Sequence, residues 1–254
     1  MKPLIESRAN SLVKHLRKLG TSRSYRREKQ EFLCDGPKLL EEAYRAGADI
    51  HEILIDANAW EKLLERLPWL ENKKVSLSSP GILESASAVE TPQGVLFSCA
   101  IPNLKAGERG RVILLDRLQD TGNMGTIIRG ADAFGIDAVI AEDSADFFNP
   151  KTVRAAMGAL FRVPVFQANI INAIEKCREA NIPVYAAMLN RDAQSPDKLN
   201  LSRAAVIVGN EGSGVRKEIA DFADGAVFIP MPGQAESLNA AVAASILMWE
   251  MTRL

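Results

Sequence analysis

The chain has 254 residues, of which 47% are hydrophobic and 25% charged, and its formal net charge is −1. This balance is typical of a folded, soluble protein and excludes a disordered tail. A chain of this length can bury two unequal cores, so we expect two domains.

The cysteines and the apolar segments limit both the chemistry and the location. Cys34, Cys99 and Cys177 are far apart and lack the short spacing of zinc or redox motifs. The longest apolar stretch, residues 240–249, is about half of the roughly 20 residues that span a bilayer. We therefore expect a cytoplasmic protein with reduced cysteines, no metal ion and no membrane segment.

The first 30 residues are strongly basic. Nine Lys or Arg residues stand against two Glu residues, a local charge of +7 that leaves −8 for the rest of the chain. Such a segment can bind phosphates through the release of counterions, without reading a base sequence. The alternative is a solvated helix face, and charge alone does not separate the two interpretations.

The pattern over residues 1–100 predicts a small α/β domain. Apolar residues at helical spacing predict a basic amphipathic helix over 5–19, ended by Gly20. The elements that follow are predicted as strand 31–34, helix 37–46, strand 50–55, helix 58–67, strand 75–77, helix 80–86 and strand 94–98. Residues 101–110 are polar and lack periodicity, so we predict a linker there.

Residues 111–254 predict a second α/β domain, with a mostly parallel sheet and helices on both faces. Short, continuous apolar runs alternate there with helical segments, as expected for strands that are buried on both sides. The predicted strands are 112–115, 138–141, 163–166, 184–187, 205–208 and 226–229.

Three loops that follow these strands carry unusual residues, at the sheet edge where ligands of α/β proteins bind. The first places Asn123 and Gly125 after strand 112–115, with Arg129 farther along the next helix. The second, residues 209–214 (GNEGSG), exposes backbone N–H groups for an anion or an adenosine cofactor. Glu211, among these glycines, is hard to explain by packing.

The third loop, residues 230–239 (PMPGQAESLN), runs into a C-terminal helix that we predict to begin at Glu236. Its polar residues Ser237 and Asn239 are candidates for ligand binding. Capping of the helix is the alternative explanation for both, because polar side chains are common at helix starts.

In this order and at this spacing, the three segments resemble the motifs of the SpoU or TrmH family of RNA ribose 2'-O-methyltransferases, in the SPOUT superfamily. The matching residues are Asn123, Gly125 and Arg129, then Gly209, Asn210, Glu211 and Gly214, then Ile229, Pro230, Met231, Ser237, Leu238 and Asn239. The resemblance spans residues 112–249. The N-terminal domain, residues 1–100, resembles the family's ribosomal-protein-like RNA substrate-binding domain, including the segment 91–95 (TPQGV).

This resemblance implies methylation of a ribose 2'-hydroxyl in structured RNA with S-adenosylmethionine as cofactor. It favours large-subunit (23S) ribosomal RNA over transfer RNA, does not point to DNA, and implies a deep trefoil knot. The cofactor would lie near Gly209, Gly214, Ile229, Met231 and Leu238. Asn123, Arg129, Glu211, Ser237 and Asn239 would surround the ribose and its phosphate. The family assigns the base role to Arg129, but a guanidinium group resists deprotonation strongly, which fits a phosphate clamp better.

Two other functional classes match parts of the pattern. Loop 209–214 superficially resembles a dinucleotide-binding turn, but its glycines are spaced GxxGxG and lie near the end of the domain. A non-catalytic RNA-binding or ribosome-assembly protein on the same fold is the other alternative, which a test of cofactor binding would separate. His15 and His51 lie away from every motif, so histidine acid–base catalysis is not expected.

The C-terminal helix carries more apolar residues than one core face requires, namely Leu238, Val242, Ile246, Leu247 and Trp249. We therefore predict a homodimer formed through this helix, which the family resemblance also implies.

Overall fold

The computed structural model of the chain describes residues 2–89, 91–189 and 192–253. The strands are β1 (Leu4–Ile5), β2 (Glu31–Asp35), β3 (Ile50–Asp56), β4 (Val75–Ser78), β5 (Val95–Ala100), β6 (Val112–Asp116), β7 (Ala138–Glu142), β8 (Val165–Gln167), β9 (Val184–Ala187), β10 (Ala205–Val208) and β11 (Gly225–Val227). The α-helices are α1 (Ser11–Thr21), α2 (Arg23–Lys29), α3 (Pro37–Arg45), α4 (Trp60–Arg66), α5 (Pro80–Ala86), α6 (Thr121–Ala133), α7 (Pro150–Ala156), α8 (Ile170–Glu179), α9 (Lys217–Ala220) and α10 (Ala240–Thr252). Short 3-10 helices lie at Ala57–Ala59, Pro68–Asn72, Ala159–Phe161 and Pro196–Lys198.

One compact unit comprises Met1–Pro102 and Phe148–Phe161. Its sheet has the strand order β1-β4-β3-β5-β2, in which β1, β4 and β3 run parallel and β5 is antiparallel to both of its neighbours. Helices α1 and α5 cover one face, where Leu16 and Leu83 pack with Leu96 of β5. This burial of apolar side chains supplies the main stabilising contribution to the unit.

The segment Phe148–Phe161 belongs to this unit although it follows β7 in the chain. Phe148 and Phe161 both contact the buried ring of Phe32 in β2, at centroid separations of 5.0 and 5.9 Å. Both separations lie in the range of favourable aromatic pairs. The unit is therefore built from two separate stretches of sequence.

The other compact unit comprises Asn103–Phe147 and Arg162–Leu254. Its six strands have the order β11-β9-β10-β6-β7-β8, and every pair among them is parallel. Helix α8 packs on one face, against Ile207 of β10, while the adjacent Val208 faces a cavity that α10 also lines. The predicted α/β class, a parallel sheet with helices on both faces, is thereby confirmed.

The strand order reverses at the pair β6–β10. From β6 the chain extends the sheet through β7 to β8, and it then continues on the other side with β9, β10 and β11. In open α/β sheets such a reversal opens a crevice beyond the carboxyl ends of the strands. The predicted strands of this sheet agree with the observed ones to within two residues.

Two predicted helix starts are wrong. The predicted helix 5–19 begins only at Ser11, because Asn10 caps it through the Leu12 N–H at 2.8 Å, while Leu4 and Ile5 pair with β4. The C-terminal helix begins at Ala240 rather than Glu236, so the apolar Leu238 lies outside it.

Among the described residues, no helix combines the length and the apolar character required to cross a bilayer. The domain boundaries at residues 100 and 110 stay a prediction, as does the trefoil knot.

Candidate active site

The three loops singled out from the sequence meet at one edge of the parallel sheet. They follow β6, β10 and β11, and the carboxyl ends of parallel strands lie on the same side of a sheet. Each loop also leads into a helix, namely α6, α9 or α10. This edge therefore brings the ends of strands together with the starts of helices, where backbone N–H groups are available for ligands.

Asn123, predicted to lie in the first loop, belongs instead to the first turn of α6, because the Asp120 cap starts that helix at Thr121. A chain of hydrogen bonds between side chains joins this turn to the loops that follow β10 and β11. The amide nitrogen Nδ2 of Asn123 donates to Oε1 of Glu211 at 3.1 Å. The amide oxygen of Asn123 accepts from Nδ2 of Asn239 at 3.0 Å. One carboxylate and two carboxamides from distant parts of the sequence thus form a single polar row.

Helix caps fix two members of this row, Asn123 at its centre and Asn239 at one end. The Asp120 carboxylate caps α6 by accepting from the Asn123 backbone N–H at 2.6 Å. Oδ1 of Asn239 caps α10 by accepting from the Ala241 and Val242 N–H groups at 2.9 and 3.2 Å. The capping explanation is therefore confirmed for Asn239, yet its Nδ2 remains available and reaches Asn123.

Two glycines of loop 209–214 are required by the backbone, Gly209 by a close approach and Gly214 by its positive φ. A Cβ atom on Gly209 would lie 2.1 Å from the carbonyl carbon of Gly214, which itself has a φ of +68°. The backbones of Asn210 and Gly214 exchange hydrogen bonds at 3.0 and 2.9 Å. The Asn210 side chain closes the turn by accepting from the Gly212 and Ser213 N–H groups.

A cavity of about 260 Å³ lies beside the polar row. All five predicted cofactor residues line it, and so do the predicted catalytic residues Glu211 and Ser237; the five are Gly209, Gly214, Ile229, Met231 and Leu238. The volume is near the lower end of the roughly 300–1,000 Å³ typical of small-molecule sites. Apolar side chains and loop backbone form most of its wall.

The environment of Glu211 favours its charged form. Burial opposes ionisation, but hydrogen bonds from its own N–H, from Asn123 and from the Asp120 and Gln119 N–H groups outweigh it, so the pKa of Glu211 is lowered. Glu211 is therefore an anion at neutral pH and a weak proton acceptor. Its geometry suits it to orient Asn123.

Arg129 is the one predicted catalytic residue that the fold leaves apart from the others. It is exposed on α6 and is not part of the cavity wall. Within the described residues it has no hydrogen bond or ion pair with the row formed by Glu211, Asn123 and Asn239.

Sequence reasoning missed a buried ion pair directly below the loops. Asp116, at the end of β6, is fully buried and accepts from Nε and the backbone N–H of Arg216 at 2.7 and 2.8 Å. The same guanidinium donates to Glu142 of β7 at 2.8 Å. A carboxylate that ends an apolar strand was the available signal for Asp116, but nothing in the sequence indicated its partner 100 residues away.

Comparisons with known proteins agree with this geometry. Residues 110–249 match the SpoU rRNA Methylase family, and residues 10–96 match the MRM3-like substrate binding domain. The chain is 37% identical to the 23S rRNA (guanosine(2553)-2'-O)-methyltransferase RlmP of Bacillus subtilis, over 97% of this chain and 98% of that protein.

Two further similarities cover most of the chain. The 23S rRNA (uridine(2479)-2'-O)-methyltransferase of Streptomyces viridochromogenes is 28% identical over 91% of this chain and 86% of its own length. The crystal structure of an AdoMet-bound rRNA methyltransferase from Sinorhizobium meliloti is 30% identical, with a TM-score of 0.82 and coverage of 98% and 96%. The resemblance drawn from the three loops is confirmed, and the chain belongs to the SpoU rRNA Methylase family.

Proposed function

We propose that this chain transfers the methyl group of S-adenosylmethionine to a ribose 2'-hydroxyl of large-subunit ribosomal RNA. The observation that carries the proposal is the row formed by Glu211, Asn123 and Asn239, which borders a cavity at the carboxyl ends of β9, β10 and β11. Family membership supports the reaction class. The names of both relatives cited above give 23S ribosomal RNA as their substrate.

The cavity suits an adenosine cofactor. Ile229, Leu238 and Leu247 offer apolar contact, and the turn at Gly209 brings backbone groups where a larger residue would collide. We assign cofactor binding to Gly209, Gly214, Ile229, Met231 and Leu238. When bound, the cofactor would supply an electrophilic methyl group.

The polar row would orient the attacking hydroxyl. Asn123 and Asn239 each retain hydrogen-bonding capacity beyond the bonds that they make to each other and to Glu211. Holding the reactants in line can contribute as much as about 7–11 kcal/mol in well-oriented cases. We therefore assign positioning of the ribose to these side chains.

Arg129 is proposed as a clamp on the phosphate of the target nucleotide. Its planar guanidinium matches a phosphate through paired hydrogen bonds and resists deprotonation, so a role as base is chemically unfavourable. Its exposure on α6 leaves it free to meet an RNA chain.

The exposed apolar surface of α10 supports a homodimer. Val242 and Trp249 are 48% and 54% exposed, and the Trp249 ring contacts Phe134 at the end of α6. Contiguous apolar surface of this kind marks interaction sites in soluble proteins. Sedimentation at micromolar concentration tests the dimer, and a monomer would contradict it. Because ribosomal RNA lies in the cytoplasm of bacteria, we propose that location for the chain.

The function is tested by calorimetric titration with S-adenosylmethionine, followed by transfer of a labelled methyl group to unmodified 23S ribosomal RNA. We expect binding, transfer and a label on a ribose 2'-oxygen, and loss of transfer in Glu211→Gln. Transfer to transfer RNA alone would contradict the ribosomal assignment. Absence of cofactor binding would contradict the enzymatic assignment and favour an RNA-binding module.

A further inference from the structure

Arg117, the first residue after β6, has a left-handed backbone. Its φ is +56°, a region that residues other than Gly, Asn and Asp rarely adopt because Cβ crowds the following carbonyl group. Its N–H donates to the Glu142 carbonyl at 3.1 Å, and its carbonyl accepts from Nδ2 of Asn210 at 2.9 Å. These bonds, one to the end of β7 and one from loop 209–214, hold the backbone in its unfavourable conformation.

The Arg117 guanidinium has no carboxylate of its own. Its Nε is buried and hydrogen-bonded to nothing within the described residues. The nearby carboxylate oxygen, Oδ1 of Asp116, is 3.7 Å away and already accepts from Arg216 at 2.7 Å. One terminal nitrogen donates weakly to the Ser213 hydroxyl at 3.4 Å. The side chain is 38% exposed, so part of its charge faces solvent.

This cation lies within the loops that form the candidate active site. Ser213 belongs to loop 209–214, and Asn210, which binds the Arg117 carbonyl, also donates to Glu211 at 3.4 Å. The Gln119 N–H, two residues along the chain, donates to the same carboxylate. Arg117 is therefore linked to the Glu211 carboxylate in two ways: through the side chain of Asn210, and through the backbone of Gln119.

We propose that Arg117 binds a phosphate of the RNA substrate next to the ribose that is methylated, an inference that rests on the proposed function. Guanidinium groups bind phosphates strongly, and here the donors are incompletely used. Strained backbones persist where a side chain is needed for function. A strained residue whose buried Nε has no hydrogen-bond partner within the described residues fits such a requirement.

The decisive variant is Arg117→Gly, because glycine accepts the left-handed conformation without strain. We expect an unchanged or higher Tm, unchanged affinity for S-adenosylmethionine, and a fall of about 10-fold or more in kcat/KM for ribosomal RNA, the scale of one lost charged hydrogen bond. A residue with a merely structural role would lower Tm or cofactor affinity instead.

The matched control is Arg109→Gln. Arg109 is exposed, and its guanidinium, like that of Arg117, makes one long hydrogen bond, here to the Gly135 carbonyl at 3.5 Å. It precedes β6 and so lies towards the opposite end of the sheet. We expect this variant to methylate RNA at the wild-type rate. Equal losses in both variants would show a general effect of charge and overturn the inference.

Salt dependence gives a second readout. Loss of one phosphate contact should reduce the slope of log affinity against log salt by about 0.7 to 1 in Arg117→Gln, measured by filter binding of 23S ribosomal RNA. If Arg117→Gln shows both an unchanged slope and a kcat/KM within twofold of wild type, the inference is overturned and the proposed function stays intact. A wild-type chain that binds cofactor but neither binds nor methylates RNA would overturn both.

Discussion

Replacing Asn123 by Asp tests the row of polar side chains at its centre. The two side chains have the same shape, so the carboxylate can still accept from Asn239. The contact to Glu211 changes, because a donor at 3.1 Å becomes a second negatively charged oxygen. The perturbation is therefore confined to one contact.

Its magnitude follows from that separation. Two unit charges 3.1 Å apart repel by about 1.3 kcal/mol at the dielectric constant of water and by about 5 kcal/mol at an effective value of 20. Because Glu211 is exposed, the lower figure is the better guide, and loss of the hydrogen bond adds to it. We expect Asn123→Asp to reduce the free energy of unfolding by about 1–3 kcal/mol at pH 7.

The free energy of unfolding should change with pH in opposite directions in Asn123→Asp and in the wild type. In the variant, folding raises the pKa of the carboxyl pair, so stability returns as the pH falls through that raised value. In the wild type, hydrogen bonds lower the pKa of Glu211, so its contribution is present above the ordinary carboxyl pKa and is lost as the pH falls through the lowered value. The difference in free energy of unfolding between the wild type and Asn123→Asp should therefore become smaller at acidic pH.

Urea denaturation followed by Trp249 fluorescence measures this difference, with Trp60 and Trp69 replaced by Phe to isolate the signal of the parallel-sheet unit. Asn123→Ala, the control, removes the hydrogen bond without adding charge and should show no such pH dependence. The double variant Asn123→Asp with Glu211→Gln should recover most of the loss, because donor and acceptor exchange places. Wild-type stability and pH dependence in Asn123→Asp alone would refute the reasoning.

Three further variants test other parts of the site. Gly209→Ala forces a Cβ to within 2.1 Å of the Gly214 backbone, so calorimetry should find cofactor affinity at least about 10-fold weaker and stability lower by about 1–3 kcal/mol; wild-type affinity would contradict this. Arg216→Ala removes the guanidinium that is hydrogen-bonded to the buried Asp116 carboxylate and should cost about 3 kcal/mol in urea denaturation, and a loss below about 1 kcal/mol would argue against the pair. Arg129→Lys keeps the charge but loses the planar fork, so kcat/KM for RNA should fall about 10-fold; near-normal turnover would rule out both the clamp and the base role.

The parallel sheet could be predicted because its signal is local. A strand buried on both faces requires a continuous apolar run, and 205–208 (AVIV) matches β10 without error. The location of the site followed from the same pattern, since the loops after such strands share one edge. Loop 209–214 was informative because Gly209 and Gly214, on either side of Glu211, serve backbone geometry rather than packing.

The remaining features depend on contacts that sequence spacing does not encode. The partner of Asp116 is 100 residues away, and the strained conformation of Arg117 is imposed by Glu142 and Asn210 rather than by its own preferences. The start of α1 was predicted too early because Ile5 continues the helical apolar pattern although it pairs with β4. Local periodicity cannot separate a buried strand residue from a buried helix residue over so few positions.

The hydrogen bond between Asn123 and Asn239 spans 116 residues of sequence, and this separation has a consequence in time. At a synthesis rate of about 5–20 residues per second, Asn239 is added roughly 6 to 23 s after Asn123. During that interval a nascent chain has the first loop but not the third. A chain released early, or truncated before α10, should therefore lack a complete polar row, however well its first unit folds.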